Sequence, residues 1–236
     1  MRFDMLGQGA MYSRIILSSI IVAAGAFITT TLAGAVGEEE QTGAPLGLEW
    51  GLSTAQVRAL GVDLKDVPLK DYGSSYAAAR LPKIIADTET VLLSFGFDDK
   101  LWRIVMVSKA FTNDPYGSAV RSRYDELSNE LAEKYGRGEQ HHQPGEGVYA
   151  EADKFVAALH MGNTWYYTNY TTNLLWVQLS IRAKDFSTAF YQIIFEHKAL
   201  RSDFEKAKKI REKESLKGAQ GEGPPPNRPN RAASSA

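Results

Sequence analysis

Four histidines, His141, His142, His160 and His197, are the side chains best suited to metal binding or acid–base chemistry, because the chain contains no cysteine. A metal centre needs three or four such ligands converging on one point. His141 and His142 are adjacent, so they share neither one side of a strand nor one face of a helix. Beside Glu139 and Glu146 they suit a weak surface metal contact and not a rigid catalytic centre. His160 and His197 close expected strands, where a single histidine is more often half-buried and hydrogen-bonded than a general base. Joined with Glu146 or Glu151, the four histidines define one enzymatic alternative, a metal- or carboxylate-dependent hydrolase. No Gly-x-Ser-x-Gly pentapeptide and no phosphate-cradling glycine-rich loop occurs. The sequence therefore assigns no catalytic residue, no metal ligand and no cofactor.

The second source of chemistry is aromatic. Trp50, Trp102, Trp165 and Trp176, with Tyr166, Tyr167, Tyr170 and Tyr191, supply flat rings for stacking on a sugar or a peptide. Trp165, Tyr166, Tyr167 and Tyr170 are the candidate ligand or partner surface, and the run Trp165-Tyr166-Tyr167 sends rings to both faces of its strand. Rings of this kind also fill ordinary sheet cores. A third candidate is the basic C-terminal end. Lys206, Lys209, Arg211 and Lys213 stand there with few acids, as a contact for anionic lipid, polysaccharide or an acidic partner.

The elements that must position these groups follow from periodicity. Leu48-Glu49-Trp50-Gly51-Leu52 reads as a short strand turning at Gly51. Ser53 and Gln56 then have the spacing of a capping box for a short helix that stops at Gly61. Residues 61–79, with Pro68, Gly73 and Ser74, read as a loop. A meander follows over Ile84 to Ala86, Thr90 to Phe97 and Leu101 to Ser108. Asp98-Asp99-Lys100 is its tight turn, with Val91, Leu93, Phe95 and Phe97 set against Leu101, Arg103, Val105 and Val107. Asn113-Asp114-Pro115 opens a helix over residues 117–135, in which Val120, Tyr124, Leu127, Leu131 and Tyr135 form one apolar stripe and Gly136 ends the helix. Arg121, Arg123, Asp125, Glu126, Glu130, Glu133 and Lys134 fill its other face.

Residues 137–147, rich in Gly, Gln, His and Pro, read as a mobile connection. Four more strands are expected over Phe155 to His160, Trp165 to Tyr170, Leu174 to Arg182 and Phe190 to His197, rich in residues that favour sheet. A final helix from Ala199 to about Leu216 buries Leu200, Phe204, Ala207 and Ile210. Residues 217–236, with Pro224-Pro225-Pro226, lack the apolar side chains to offset ordering and read as a disordered tail.

The front end fixes the compartment. Arg14 precedes an apolar run from Ile15 to Ile28 that leads to Ala33-Gly34-Ala35, the pattern of a secretory signal peptide over residues 1–35. Met11 to Ala35 would form a complete signal alone, so Met1 and Met11 are both candidate starts. An uncleaved membrane anchor is the rival, weakened by Thr29, Thr30 and Thr31. A flexible leader over 36–47 then precedes two halves, 48–136 and 148–216. Removing the signal takes Arg2 and Arg14 from 27 basic residues and Asp4 from 28 acidic ones, which leaves a net charge near −2. That balance and export argue against a nucleic-acid partner. The absence of cysteine excludes a lipidated cysteine and a disulfide framework.

Leu48-Glu49-Trp50-Gly51-Leu52-Ser53, Phe97-Asp98-Asp99-Lys100-Leu101, Tyr124-Asp125-Glu126-Leu127 and Leu131-Ala132-Glu133-Lys134-Tyr135-Gly136 occur in an order that resembles uncharacterised exported bacterial proteins. That group is similar to helix-on-sheet modules such as outer-membrane assembly lipoproteins and secreted β-lactamase inhibitors. The resemblance covers about half of the mature chain. It implies a capped helix before an antiparallel sheet, and it transfers no catalytic residue. The chain departs from the lipoproteins in lacking their anchoring cysteine.

Together these readings give an α+β fold, an antiparallel sheet packed against a few helices, as one domain or as two small helix-on-sheet modules. The expected function is that of a non-enzymatic periplasmic or secreted binding protein of the bacterial envelope, whose partner is a protein or another envelope component. The alternatives are the hydrolase and a structural protein held at the membrane by its first helix.

Overall fold

The computed structural model describes residues 43–221. The expected signal and the first part of the leader lie outside the described residues, as do residues 222–236 of the expected tail. Among the described residues no helix is long and apolar enough to cross a membrane.

Eight strands are present: β1 (Asp63–Val67), β2 (Ser74–Ala79), β3 (Thr88–Phe95), β4 (Leu101–Ser108), β5 (Glu139–Gln143), β6 (Trp165–Thr171), β7 (Leu175–Ala183) and β8 (Ala189–His197). The helices are α1 (Thr54–Ala59), α2 (Ser118–Tyr135), α3 (Phe155–His160) and α4 (Lys198–Gly221). The strands form one sheet in the order β1-β2-β3-β4-β8-β7-β6-β5, and every neighbouring pair is antiparallel. The fold class is α+β, as the sequence implies. Each half is a four-stranded meander of adjacent antiparallel strands. The two meanders meet at their last strands, where Val105 pairs with Ile194 and Met106 with Ile193.

One face of the sheet carries Val91, Leu93, Ile104, Met106, Ile193, Leu179 and Val177, all buried in one core. Onto it α2 lays Val120, Tyr124, Leu127 and Leu131, the stripe expected from the spacing. Burying side chains of this size contributes roughly 1.5–3 kcal/mol each. The opposite face receives α4, whose buried Phe204 stacks on Trp102 at 4.9 Å and on Phe97 at 5.2 Å. Beneath α4, Arg103 and Glu196 form a buried ion pair at 2.9 Å, and Arg201 of α4 reaches the same carboxylate at 2.7 Å. Leu200 and Ala207 are half-buried, whereas Ile210, expected in the core, is 57 % exposed.

Several local expectations change. Residues 48–52 are not a strand. Pro45–Gly47 forms a 3-10 turn with Leu46 buried, Glu49 makes one isolated bridge to Gly43, and Trp50-Gly51 turns. Gly51 N–H still donates to the Leu101 carbonyl and Leu101 N–H to that of Leu52, so the segment is tied to the end of β4. The capping box forms as expected, with Ser53 Oγ accepting from Gln56 N–H and Gln56 Oε1 from Ser53 N–H.

Residues 61–79 contain β1 and β2 and are not a loop. The short, charged β1 lies at the sheet edge, where a polar strand survives because only one side is paired. Ile84 to Ala86 precedes β3 without pairing. The hairpin between β3 and β4 is present, but a bulge near Trp102 shifts its register. Val91 and Leu93 therefore face Met106 and Ile104, and not Val105 or Arg103.

Residues 137–147 hold β5, a second polar edge strand, where a mobile connection was expected. Phe155–His160 is a helix and not a strand, since a six-residue apolar run fits either state; Val156 and Ala158 are buried in it. Residues 217–221 continue α4, so the expected disordered tail does not begin at 217.

Candidate functional site

The edge pair β5–β6 sets His142 opposite Tyr166 and His141 opposite Tyr167. Alternation along each strand then sends the two histidines to opposite faces, as their adjacency requires. Each stacks on its tyrosine. His142 and Tyr166 lie 3.6 Å apart and 9° from parallel on the α2 side, and His141 and Tyr167 lie 4.7 Å apart at 21° on the other.

On the α2 side the pair is held from above by Tyr124. Its ring meets Tyr166 edge-on at 4.9 Å, and its hydroxyl is 2.6 Å from Thr168 Oγ1 and 3.3 Å from His142 Nε2. Burial pushes the Tyr124 phenol well above its usual range, so it stays protonated. Burial also lowers the pKa of His142. The Asp125 carboxylate opposes that shift, while Arg121 and His141 add to it. At neutral pH the imidazole is therefore uncharged.

Phe155, the first residue of α3, closes the next wall and meets Tyr166 edge-on at 5.7 Å. Gly117, just before α2, allows this approach. Its φ is +66°, and a Cβ there would lie 2.5 Å from the Phe155 ring. Asp114 completes the turn by accepting from Ala119 N–H at 2.8 Å. Arg121, one turn into α2, holds its guanidinium over both rings, 5.2 Å from the centre of Phe155 and 5.6 Å from that of Tyr166. Its neighbour Arg123 takes the local acids, Asp87 at 2.6 Å and Glu126 at 2.8 Å. Among the described residues no carboxylate lies within ion-pair distance of Arg121.

These groups surround a cleft of about 280 Å³ whose outer wall is the segment 143–152, including Tyr149 and Glu151. Asn163 pins that segment by accepting from Glu146 N–H at 2.8 Å, and the Thr164 hydroxyl donates to the Gln143 carbonyl. The cleft thus offers flat apolar surface, an uncharged imidazole and one guanidinium, an arrangement for recognising a planar group.

The structure divides the expected aromatic surface. Tyr166 lines the cleft, Tyr167 lies on the other face of the sheet, and Trp165 is 47 % exposed at the start of β6. Tyr170 is 1 % exposed and its hydroxyl pairs with Ser128 at 2.8 Å, so it belongs to the core and not to a surface. Lys206, Lys209, Arg211 and Lys213 are exposed on α4, away from the cleft. Lys206 is 3.5 Å from Asp203, and Arg211 lies over the Phe97 ring at 4.0 Å.

The histidines do not converge. His160 meets Phe186 edge-on at 4.8 Å, and His197 lies 5.9 Å from Trp50. His141 approaches Glu139 at 3.4 Å on the exposed edge, and among the described residues no three potential metal ligands cluster. Glu146 and Glu151 are both exposed.

Arg121, Tyr124 and Phe155 were not legible as site residues. Arg121 reads as one more charge on the polar face of α2, Tyr124 as core, and Phe155 as the start of a strand. Only the spacing of Arg121 and Tyr124, which puts them on adjoining flanks of one helix turn, hints at a shared neighbourhood. Compared with protein-family models, with curated proteins and with solved structures, the chain matches none.

Proposed function

We propose that this chain is a non-enzymatic binding protein of the bacterial envelope, which holds a small planar ligand in the cleft between α2, β5, β6 and α3. The observation that carries the reading is the cleft itself: parallel His142 and Tyr166, edge-on Phe155, and a guanidinium over the rings. Small-molecule sites are concave and mostly apolar, with a few placed polar groups, and begin near 300 Å³. A cleft of about 280 Å³ is at that lower bound and suits a ligand built on one ring. Export is supported by Arg14, the apolar run Ile15 to Ile28 and the small residues Ala33-Gly34-Ala35. A partly buried imidazole stacked on a tyrosine offers flat surface for recognition, which supports this reading.

Titration calorimetry with indole, a neutral planar probe, tests this. The intact protein is expected to bind it, and Tyr166→Ala to bind it at least about tenfold more weakly. The probe is then recovered and weighed by mass spectrometry. Equal affinity in both proteins, or a chemically altered probe, overturns the reading.

A further inference from the structure

The strongest further candidates on the molecule are the stacked His141–Tyr167 pair on the outer face, the exposed basic stripe of α4, and the charge pattern of the cleft. The stripe carries its own acids, Asp203, Glu212 and Glu214, and two of its cations already have local contacts. The outer pair is a single stack beside one carboxylate, Glu139. The cleft goes further.

We infer that the ligand of the cleft is a single-ring aromatic monocarboxylate, its ring continuing the Tyr166–His142 pile and its carboxylate meeting Arg121. This rests on the binding reading given above. Arg121 is the reason for the carboxylate. A guanidinium presents a planar fork of donors that matches a carboxylate in two parallel hydrogen bonds. Its side chain stands over the rings of Phe155 and Tyr166, and among the described residues no carboxylate lies within ion-pair distance of it, although Asp125 follows one turn on in α2 and Glu151 lines the same cleft, so the fork is placed but unmatched. The neighbouring Arg123, on the same helix, is saturated by Asp87 and Glu126. The contrast makes Arg121 a recognition group and Arg123 a structural one.

The remaining groups limit the ligand's charge and shape. Glu151, the acid of the cleft wall, is exposed, so water screens it, yet it disfavours a second negative charge on the ligand. A monocarboxylate fits that balance better than a phosphate. His142 adds no positive charge, because its imidazole is neutral at neutral pH. Arg121 is then the cleft's cation. The ring requirement comes from geometry. β5 is the last strand of the sheet, so no strand lies beyond His142, and His142 and Tyr166 both line the cleft, whose space can take one more planar group on the pile.

Calorimetry with three probes separates this inference from the reading beneath it. 4-Hydroxybenzoate carries ring and charge, indole carries the ring alone, and cyclohexanecarboxylate carries the charge alone. The benzoate is expected to bind the intact protein at least about tenfold more tightly than either other probe. Arg121→Gln is expected to abolish that advantage by weakening the benzoate at least about tenfold more than it weakens indole, and Arg121→Lys to recover only part of it, because an ammonium lacks the fork. Arg121 is exposed, so neither variant opens the core, and circular dichroism checks that both fold. Indole binding as tightly as the benzoate overturns the carboxylate and leaves the binding reading in place. Cyclohexanecarboxylate binding as tightly as the benzoate overturns the aromatic requirement. Failure of all three to bind overturns both the inference and the binding reading.

Discussion

His142 links the cleft to the stability of the protein. Its pKa lies below the ordinary histidine value because burial penalises the charged form, and His197 is lowered for the same reason. In the unfolded chain both return to about 6.5. The folded state then binds fewer protons than the unfolded state as the pH drops past that value. The stabilising term is full above about pH 6.5 and is lost progressively as the pH falls toward the lowered folded values. Urea unfolding at pH 7.5 and at pH 5.5 is expected to show this loss. The double variant His142→Gln/His197→Gln should have a visibly smaller difference between the two pH values, and an unchanged difference would show that neither imidazole titrates as described. At this scale the sequence shows what adjacency dictates: neighbouring histidines on opposite faces, and rings on both sides of β6. It does not show which face meets α2, because that depends on a register set by β5, a strand whose polar residues carry no alternation.

Elements with strong periodicity were the legible ones. The stripe of α2, the capping box of α1 and the turn between β3 and β4 follow from local spacing that the tertiary structure reinforces. The elements that escaped are those whose identity depends on neighbours. β1, β2 and β5 are polar or short and survive because another strand supplies their hydrogen bonds, and α3 is helical because its six residues pack between β7 and the cleft wall. Much of the cleft is built from such elements, which is why its outline did not appear in the sequence. The junction before α2 shows how finely it is fitted. Gly117→Ala places a Cβ against Phe155 and forces a left-handed conformation costing roughly 1–2 kcal/mol on an L-residue. The expected result is a lower urea midpoint, together with weaker indole binding because the Phe155 wall is displaced. An unchanged midpoint would mean that the turn tolerates a methyl group and that Phe155 is not held by it.

At the scale of the whole molecule, the two meanders share one sheet and one core. Ile104 and Met106 of the first half lie in the same buried cluster as Val177, Leu179 and Ile193 of the second, and α2 from the first half covers β6, β7 and β8. Neither half keeps its cover alone. Fragments spanning 43–136 and 137–221 are each expected to lack dispersed amide signals in proton–nitrogen spectra, and an equimolar mixture to regain part of them. A well-dispersed spectrum from either fragment alone would identify an independently folding module. Sequence could not choose between one unit and two because the pairing of β4 with β8 joins residues that no local pattern connects. The Arg103–Glu196 contact spans 93 residues.

That separation in sequence also sets a timetable. A ribosome adding about 5–20 residues per second needs roughly 5 to 20 seconds to travel from Arg103 to Glu196. Throughout that interval β4, with Leu101, Trp102, Ile104, Val105 and Met106 all destined for burial, has its outer hydrogen-bonding edge bare. An unpaired apolar strand is a template for the same strand in another chain. The hazard of self-association therefore belongs to the nascent chain and not to the finished sheet, whose two outer strands are short and polar. A chaperone that shields the first meander until β8 arrives would raise the yield of folded protein without changing its stability.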